Sequence, residues 1–189
     1  EVIALIEQAI DQQLQVLGGS EEARFTFLAV RRWFGWSAGQ ILLFDIGGGS
    51  LEIAGGADEL PQLAESVPLG AGRMTVEYLP QDPPGDDAIE RLAHHAEETL
   101  AAVAARFGRI PSPDHVVGSS KTIRSLARLV GYKRSGWGGA ARWMLPQQEL
   151  ESWIPVLART LAASLQELPG ITPERTFQIT AGAVVLNEA

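Results

Sequence analysis

The sequence predicts an α/β fold in which a mixed β-sheet is flanked by helices. Short apolar runs suited to strands alternate with longer segments whose apolar residues recur at helical spacing. Three strand candidates follow one another before the first long helix, and this succession favours a mixed sheet over a purely parallel one. The chain has 189 residues, 46% of them hydrophobic, which is enough for a sizeable core.

The first half of the chain is expected to contain two helices and several strands. Apolar spacing predicts a helix over residues 2–13, followed by a short strand candidate at residues 14–17. Ser20 is expected to cap a second helix that ends near Phe34. Three further strands are predicted over residues 41–44, 51–54 and 63–69. The glycines between the first two of these indicate a hairpin with an open turn.

The second half is predicted to be mostly helical. Its helices are expected at residues 70–79, 86–107, 121–129, 146–168 and 179–188, and its strand at residues 115–117. The segment 131–141 is rich in glycine and is expected to be a flexible loop. This alternation of elements is what an α/β fold requires.

Composition excludes several classes of site and partner. The chain has no cysteine, so it can form neither a disulfide, nor a thiolate zinc site, nor a thiol nucleophile. No apolar run reaches the roughly 18 residues that a membrane helix needs. The net charge of −8 disfavours broad binding to nucleic acid. We therefore expect a cytoplasmic protein with neither a membrane nor a nucleic-acid partner.

The strongest local motif is DIGGGSLE at residues 45–52, which begins at the end of a predicted buried strand. Asp45 and Glu52 supply hard oxygen ligands of the kind that Mg²⁺ prefers. The small residues between them let a phosphate approach the backbone N–H groups, and a hydroxyl follows: Gly47, Gly48, Gly49 and Ser50. A tight hairpin turn is the alternative, because short glycine motifs are common. The acids on both sides favour phosphate and metal.

A second motif, GSSKT, lies between a predicted strand and a predicted helix. The N–H groups at a helix N-terminus and nearby hydroxyls form a ready anion site. The candidate phosphate-binding residues are Gly118, Ser119, Ser120 and Thr122. The spacing differs from that of a Walker A loop, and a plain helix N-cap is the alternative interpretation.

Two adjacent carboxylates, Glu21 and Glu22, occupy the expected first turn of the second helix. Acidic residues at this position commonly complement the helix dipole and do nothing more. The functional interpretation is that one of them is a general base for an attacking water. The residues alone leave both interpretations open.

Four segments of the chain occur in an order that is typical of one family. SEEARF at residues 20–25 is similar to that family's S-G-x-E-E-A-R stretch, and DIGGGSLE to its D-I-G-G-G-S-T-E loop. SVPLGAGR at residues 66–73 resembles its S-x-P-L-G-A-x-R segment, and residues 118–124 resemble its second phosphate loop. The chain thus resembles the exopolyphosphatase and guanosine-pentaphosphate phosphatase family, whose members have an actin-like, ribonuclease-H-like fold.

The resemblance implies a reaction and a set of roles. The reaction is hydrolysis of a terminal phosphoryl group of inorganic polyphosphate or guanosine pentaphosphate by Mg²⁺-assisted water attack. The catalytic carboxylate would be Glu22, and the magnesium ligands would be Asp45 and Glu52. The two loops would hold phosphate oxygens. A homodimer is the assembly implied, because family members often dimerise.

The chain departs from the family pattern at Leu51, where threonine is usual, and at Lys121, where glycine is frequent. The family's opening phosphate loop and closing segment do not occur in it. We therefore expect residues 1–25 to be the tail of a first half-domain and residues 26–189 to be a second half-domain, incomplete at its C-terminus. Two other functions stay open: a noncatalytic sensor of polyphosphate or alarmone, and an ATP-dependent kinase of the same fold.

Positive charge is concentrated in one part of this acidic chain. Residues 115–148 contain no Asp or Glu but hold six of the 15 basic residues. Lys121, Arg124 and Arg128 recur at steps of three and four, so they are expected on one helix face, where they could steer a polyanion. Arg73 is a separate steering candidate that could instead pair with Glu77 one helical turn later. A solvated helix face is the alternative for the stripe.

Overall fold

The computed structural model describes residues 2–135 and 141–189. The helices in these ranges are α1 Val2–Ile10, α2 Gly19–Phe34, α3 Ala71–Tyr78, α4 Asp86–Phe107, α5 Lys121–Val130, α6 Gln147–Arg159, α7 Ala162–Leu165 and α8 Ile179–Glu188. The strands are β1 Ile41–Ile46, β2 Leu51–Gly56, β3 Leu63–Val67, β4 His115–Gly118, β5 Tyr132–Ser135 and β6 Ala141–Met144.

Four of the strands form one mixed sheet in the order β3-β2-β1-β4. Strands β1, β2 and β3 are antiparallel neighbours, whereas β4 runs parallel to β1. The register places Asp45 opposite Glu52, and Glu52 opposite Ser66. The sheet confirms the predicted mixed α/β architecture, and its register brings polar residues of adjacent strands together at one edge.

Helix α2 covers one face of the sheet. Ala23 and Phe27 of α2 are buried against Ile41, Leu43 and Ala54 of the first two strands. Residues four apart share one side of a helix, and residues two apart share one side of a strand, so the two sets of side chains face each other. Side chains alternate along a strand, so Asp45 follows Leu43 onto this face, and Glu52 shares it with Ala54. The sheet face beneath α2 is therefore apolar along most of its length and polar at the end that carries Asp45 and Glu52.

The opposite face of the sheet holds the larger core. Alternate residues of β1 and β2 pack there against α3, α4 and α8, and the fully buried Leu92 of α4 lies within this cluster. A third cluster joins α5, α6, α7 and α8 through residues such as Leu126 and Leu157. Helix α8 is central to both, since residues 179–185 are all buried. Helices thus flank the sheet on both faces, as the sequence predicts.

Two local predictions near the N-terminus are wrong. Residues 14–17 form no strand; their side chains are exposed, and no strand within residues 2–135 or 141–189 pairs with them. The N-cap of α2 is Gly18 rather than Ser20, which lies inside the helix. The carboxylate of Glu21 accepts a hydrogen bond from the Gly18 N–H at 2.9 Å, so a side chain three residues later completes this helix start.

Two predictions in the second half are also wrong. The helix expected over residues 146–168 is divided, because Thr160 is extended and Asp82 accepts a hydrogen bond from the Ala162 N–H at 2.8 Å. Residues 132–135 of the glycine-rich segment form strand β5, which pairs antiparallel with β6, rather than a loop. The part of that prediction at residues 136–140 lies outside the described residues.

The predicted boundary after residue 25 falls inside the continuous helix α2. Ala23 and Phe27, on either side of this boundary, pack on the same sheet. Residues 2–18 contain no buried side chain. The division into two half-domains concerns the whole protein and stays a prediction. Within the described ranges, no helix is both long and apolar enough to cross a membrane.

Candidate functional site

The glycine loop between β1 and β2 is held through its carbonyl groups. The N–H of Ala71 donates to Gly47 O, and the N–H of Arg73 donates to Gly48 O, each at 2.9 Å. Arg73 Nε donates to Gly49 O at 3.0 Å. The N–H groups of Gly48 and Gly49 have no acceptor among the residues that the structure describes, and open space lies beside both residues. These N–H groups are therefore available to an anion.

This arrangement requires a glycine at the start of α3. A Cβ on Gly70 would lie against the backbone of Gly48, Gly49 and Ser50, much closer than van der Waals contact allows. The N-terminus of α3 can therefore approach the loop only because residue 70 has no side chain. The SVPLGAGR motif thus packs against the backbone of the glycine loop.

The two carboxylates of the first motif lie at the polar end of the α2 face. Glu52 is only 2% exposed, and Ser66 Oγ donates to its Oε1 at 2.9 Å. Burial raises the pKa of Glu52, hydrogen bonding by Ser50 and Ser66 acts in the opposite direction, and the charges of Glu22 and Asp45 raise it further. The carboxylates of residues 22, 45 and 52 are therefore close enough to interact.

Helix α2 delivers Glu22 to this place. Gly19 packs so closely on Ser66 that a side chain at residue 19 would collide with it. Ala23, one turn later, is fully buried on the sheet. Glu22 precedes Ala23 and is exposed, so it lies at the rim of the face that carries Asp45 and Glu52. Sequence reasoning did not foresee this contact of α2 with Ser66, because it joins residues far apart in the chain.

The second loop lies beside the first because β4 is parallel to β1. The N–H of Ser119 donates to Phe44 O at 3.0 Å, and Ser119 Oγ donates to Asp45 Oδ2 at 2.6 Å. Ser120 is the N-cap of α5, and its hydroxyl accepts a hydrogen bond from the Ile123 N–H at 3.0 Å. Both predicted loops therefore open at the same edge of the sheet.

Two residues of the second motif, Thr122 and Gly118, pack against neighbouring helix residues. Thr122 is fully buried, and its methyl group packs where a Cβ on Gly182 of α8 would be. Its Oγ1 is buried without a hydrogen-bond partner in the described part of the chain. Gly118 allows the side chain of Ile123 to approach its backbone. Thr122 therefore does not present its hydroxyl on the open surface of the loop, because helix packing encloses it.

The basic residues of α5 lie on its exposed face, as their spacing predicts. Lys121, Arg124 and Arg128 are all exposed, while the intervening residues are buried. Lys121 lies near Glu174, whose pKa is lowered by hydrogen bonding to Thr172 first and by the Lys121 charge to a smaller extent. The three cations form one surface next to the second loop.

Arg73 belongs to the first loop rather than to that surface. Besides its bond to Gly49 O, its guanidinium lies 3.8 Å from the carboxylate of Glu77. The pairing with Glu77 that the sequence suggested is therefore present. Arg73 nevertheless stays half-exposed, so its charge lies at the rim of the glycine loop.

The comparison with known families decides which family this is. The model of the Ppx/GppA phosphatase family matches residues 1–189. The chain belongs to the Ppx/GppA phosphatase family. The resemblance seen in the four sequence motifs is thereby confirmed.

Two curated relatives are exopolyphosphatases. Exopolyphosphatase 1 of Mycobacterium leprae is 46% identical over 185 residues, covering 98% of this chain and 55% of the relative. Exopolyphosphatase 1 of Mycobacterium tuberculosis is 45% identical over 185 residues, covering 98% of this chain and 54% of the relative. This Ppx/GppA chain therefore spans about half the length of the curated relatives that it matches.

Solved structures confirm the predicted fold class. A Ppx/GppA phosphatase of Aquifex aeolicus superposes with a TM-score of 0.74 at 21% identity, covering 98% of this chain and 60% of that one. An exopolyphosphatase of Cytophaga hutchinsonii superposes with a TM-score of 0.75 at 17% identity, covering 99% and 61%. The chain therefore has the actin-like, ribonuclease-H-like fold of Ppx/GppA phosphatases.

The carboxylates of this Ppx/GppA site would suit a hard divalent cation such as Mg²⁺. Within residues 2–135 and 141–189, no three His, Asp or Glu side chains are grouped closely enough to hold a metal by themselves. Mg²⁺ commonly keeps several waters and takes one or two carboxylates together with phosphate oxygens from the substrate. Asp45 and Glu52 fit this pattern, in which the phosphate completes the coordination.

Proposed function

We propose that this chain forms part of a hydrolase that removes terminal phosphoryl groups from inorganic polyphosphate or guanosine pentaphosphate. The observation that supports this most directly is that three interacting carboxylates share one sheet edge with a loop in which the N–H groups of Gly48 and Gly49 have no acceptor among the described residues. The 46% identity with an exopolyphosphatase favours polyphosphate as the substrate.

Each group at the edge has a role in this proposal. Glu22 is exposed and carries a carboxylate beside the metal ligands, so it orients or deprotonates the attacking water. The N–H groups of Gly48 and Gly49 hold equatorial oxygens of the phosphoryl group. The chemistry that Mg²⁺ supplies when bound at Asp45 and Glu52 is neutralisation of charge on that group.

The test is phosphate release by two forms of the protein. One is the chain itself; the other is a chimera in which it replaces the matching 185 residues of the Mycobacterium leprae relative. Glu22→Gln should lower release from polyphosphate by about 10²–10⁴-fold, the usual contribution of a general base. Glu21→Gln is the matched control, because its amide oxygen can still accept the Gly18 N–H.

The other outcomes separate the competing functions. Binding of polyphosphate without release, by every form with Glu22 intact, would favour a sensor. ATP turnover that depends on a second, hydroxylated substrate would favour a kinase. Comparing polyphosphate with guanosine pentaphosphate in the same assay identifies the preferred substrate.

We also propose that the basic face of α5 attracts the polyanion. Lys121, Arg124 and Arg128 are exposed, and in the described part of the chain none of them forms an ion pair within 4.0 Å. Replacing Arg124 and Arg128 with glutamine should weaken polyphosphate binding and flatten its dependence on salt. The control is the double variant Arg91→Gln/Arg109→Gln, which removes the same charge elsewhere on the chain. If both double variants weaken polyphosphate binding equally, the basic face of α5 is not a specific binding surface.

The remaining expectations complete the proposal. The magnesium requirement, the cytoplasmic location and the homodimer stay predictions, as does the lack of nucleic-acid and membrane partners. The division of the whole protein into two half-domains, with this chain forming most of the second, also stays a prediction. Titration with Mg²⁺ and sedimentation of the chimera test the metal and the dimer.

A further inference from the structure

Ser119 connects the two loops of the site. Its backbone N–H donates to Phe44 O, and its hydroxyl donates to the Oδ2 atom of the next residue, Asp45, at 2.6 Å. Both contacts cross from the end of β4 to the end of β1, and Asp45 lies 74 residues before Ser119 in the chain. The backbone contact thus fixes the position of Ser119, and its side chain contacts the carboxylate of Asp45.

The neighbouring serine has a different environment. The hydroxyl of Ser120 accepts the Ile123 N–H and caps α5. On the opposite side of the site, Ser66 donates to Glu52 as Ser119 donates to Asp45. Asp45 therefore receives a hydroxyl from the loop beside it, as Glu52 does from the strand beside it, in addition to the Ser50 hydroxyl.

We propose that Ser119 is a positioning residue for Asp45 rather than a phosphate ligand. A short hydrogen bond to Oδ2 limits rotation of the carboxylate, and a cation would bind through the other oxygen, Oδ1. Carboxylates that bind metals are commonly oriented by such hydrogen bonds, and removing these partners weakens metal affinity by roughly 10–100-fold. This inference rests on the proposed function only in taking Asp45 as a magnesium ligand.

The first test measures metal binding without substrate or turnover. Mn²⁺ is titrated into the metal-free chain, and free Mn²⁺ is followed by electron paramagnetic resonance. Ser119→Ala should weaken Mn²⁺ binding about tenfold, and Ser119→Thr, which keeps the hydroxyl, should restore most of it. Ser112→Ala is the control and should leave Mn²⁺ affinity unchanged, because Ser112 is exposed in the loop before β4.

The second test separates metal from substrate effects in the chimera. Ser119→Ala should raise the Mg²⁺ concentration for half-maximal release about tenfold, while KM for polyphosphate at saturating Mg²⁺ stays near the unmutated value. A higher KM with unchanged Mn²⁺ affinity would overturn the inference and make Ser119 a phosphate ligand. Failure of the unmutated chain to bind Mn²⁺ would also overturn it.

The two proposals fail in different ways. If the unmutated chimera releases no phosphate but the chain binds Mn²⁺ in a Ser119-dependent manner, the proposed reaction is wrong and the positioning role stands. If phosphate is released and depends on Glu22 but Mn²⁺ affinity ignores Ser119, the reaction stands and the positioning role is wrong.

Discussion

At the scale of single residues, the site depends on close approaches that only small side chains permit. Gly70 lets α3 reach the glycine loop between β1 and β2, and Gly19 lets α2 reach Ser66. Burial is the main cause of the raised pKa of Glu52, and the nearby charges of Glu22 and Asp45 add to it. A cation beside these carboxylates would offset the part that comes from like charge.

Gly70→Ala tests the first of these approaches. The added methyl group would collide with backbone atoms of the loop, which cannot move aside as a flexible side chain can. We expect the free energy of unfolding to fall by about 1–3 kcal/mol and polyphosphate binding to weaken. Urea unfolding and a binding titration measure the two effects.

Gly108→Ala is the control for Gly70→Ala. Gly108 has helical backbone angles, and a Cβ there would meet only the Ala104 carbonyl oxygen at an ordinary distance of 3.4 Å. Alanine should be tolerated or slightly stabilising at this position. Equal losses of stability in the two variants would show that the crowding at Gly70 does not matter.

At the scale of elements, the helices on the second face are tied end to end. Arg159 in the last turn of α6 forms a two-pronged ion pair with Asp86 in the first turn of α4, at 2.6 and 3.2 Å. Each charge also suits the dipole of its own helix end. Together with the bond from Ala162 to Asp82, this contact fixes where α6 ends.

The pH dependence of stability should reveal this ion pair. Hydrogen bonding to Arg159 lowers the pKa of Asp86 below its usual value of 3.8. A carboxyl with a lowered folded-state pKa stabilises the fold above its unfolded pKa, and this contribution is lost as the pH falls through the folded value. Arg159→Gln should therefore destabilise the chain at pH 6 but have little effect near pH 2, by urea unfolding.

The size of that effect should also depend on salt. Both side chains are exposed, so added salt should reduce the difference between Arg159→Gln and the unmutated chain. Arg91→Gln removes a charge from the exposed side of α4 and serves as the control. A difference that persists unchanged at low pH and high salt would assign the effect to lost packing instead.

At the scale of the whole molecule, charge and apolar surface are unevenly distributed. All 23 acidic residues lie outside residues 115–148, which hold six of the 15 basic ones. Apolar side chains remain exposed along α1 and the following segment, and Trp33 and Trp36 are 63% and 74% exposed. The fold itself therefore does not use residues 2–18 as part of its core.

Removing this segment tests that conclusion. A chain lacking residues 1–17 retains Gly18 and the hydrogen bond that caps α2. Its free energy of unfolding should change by no more than about 0.5 kcal/mol, as for surface changes in general. Leu92→Ala, which creates a cavity in the main core, should cost about 2–5 kcal/mol by the same urea measurement. A comparable loss of unfolding free energy on truncation would contradict the conclusion that residues 2–18 lie outside the core.

Much of the fold could be predicted because its signals are local. The span of α4 follows from helical spacing and its acidic first turn, and the hairpin of β1 and β2 follows from two apolar runs around three glycines. The absence of a strand at residues 14–17 and the end of α6 could not be predicted in this way. Their conformation depends on whether a partner strand is present and on a carboxylate 80 residues away.

The fold class, the family and the chemical character of the two loops could be predicted, because they depend on residue types at short spacing. Which groups meet became clear in the folded chain. The tertiary structure turned Ser119 toward Asp45, enclosed the hydroxyl of Thr122, and brought the start of α2 against Ser66. The physical reason is that hydrogen-bond partners and close packing join residues distant in the chain, and no local periodicity encodes those contacts.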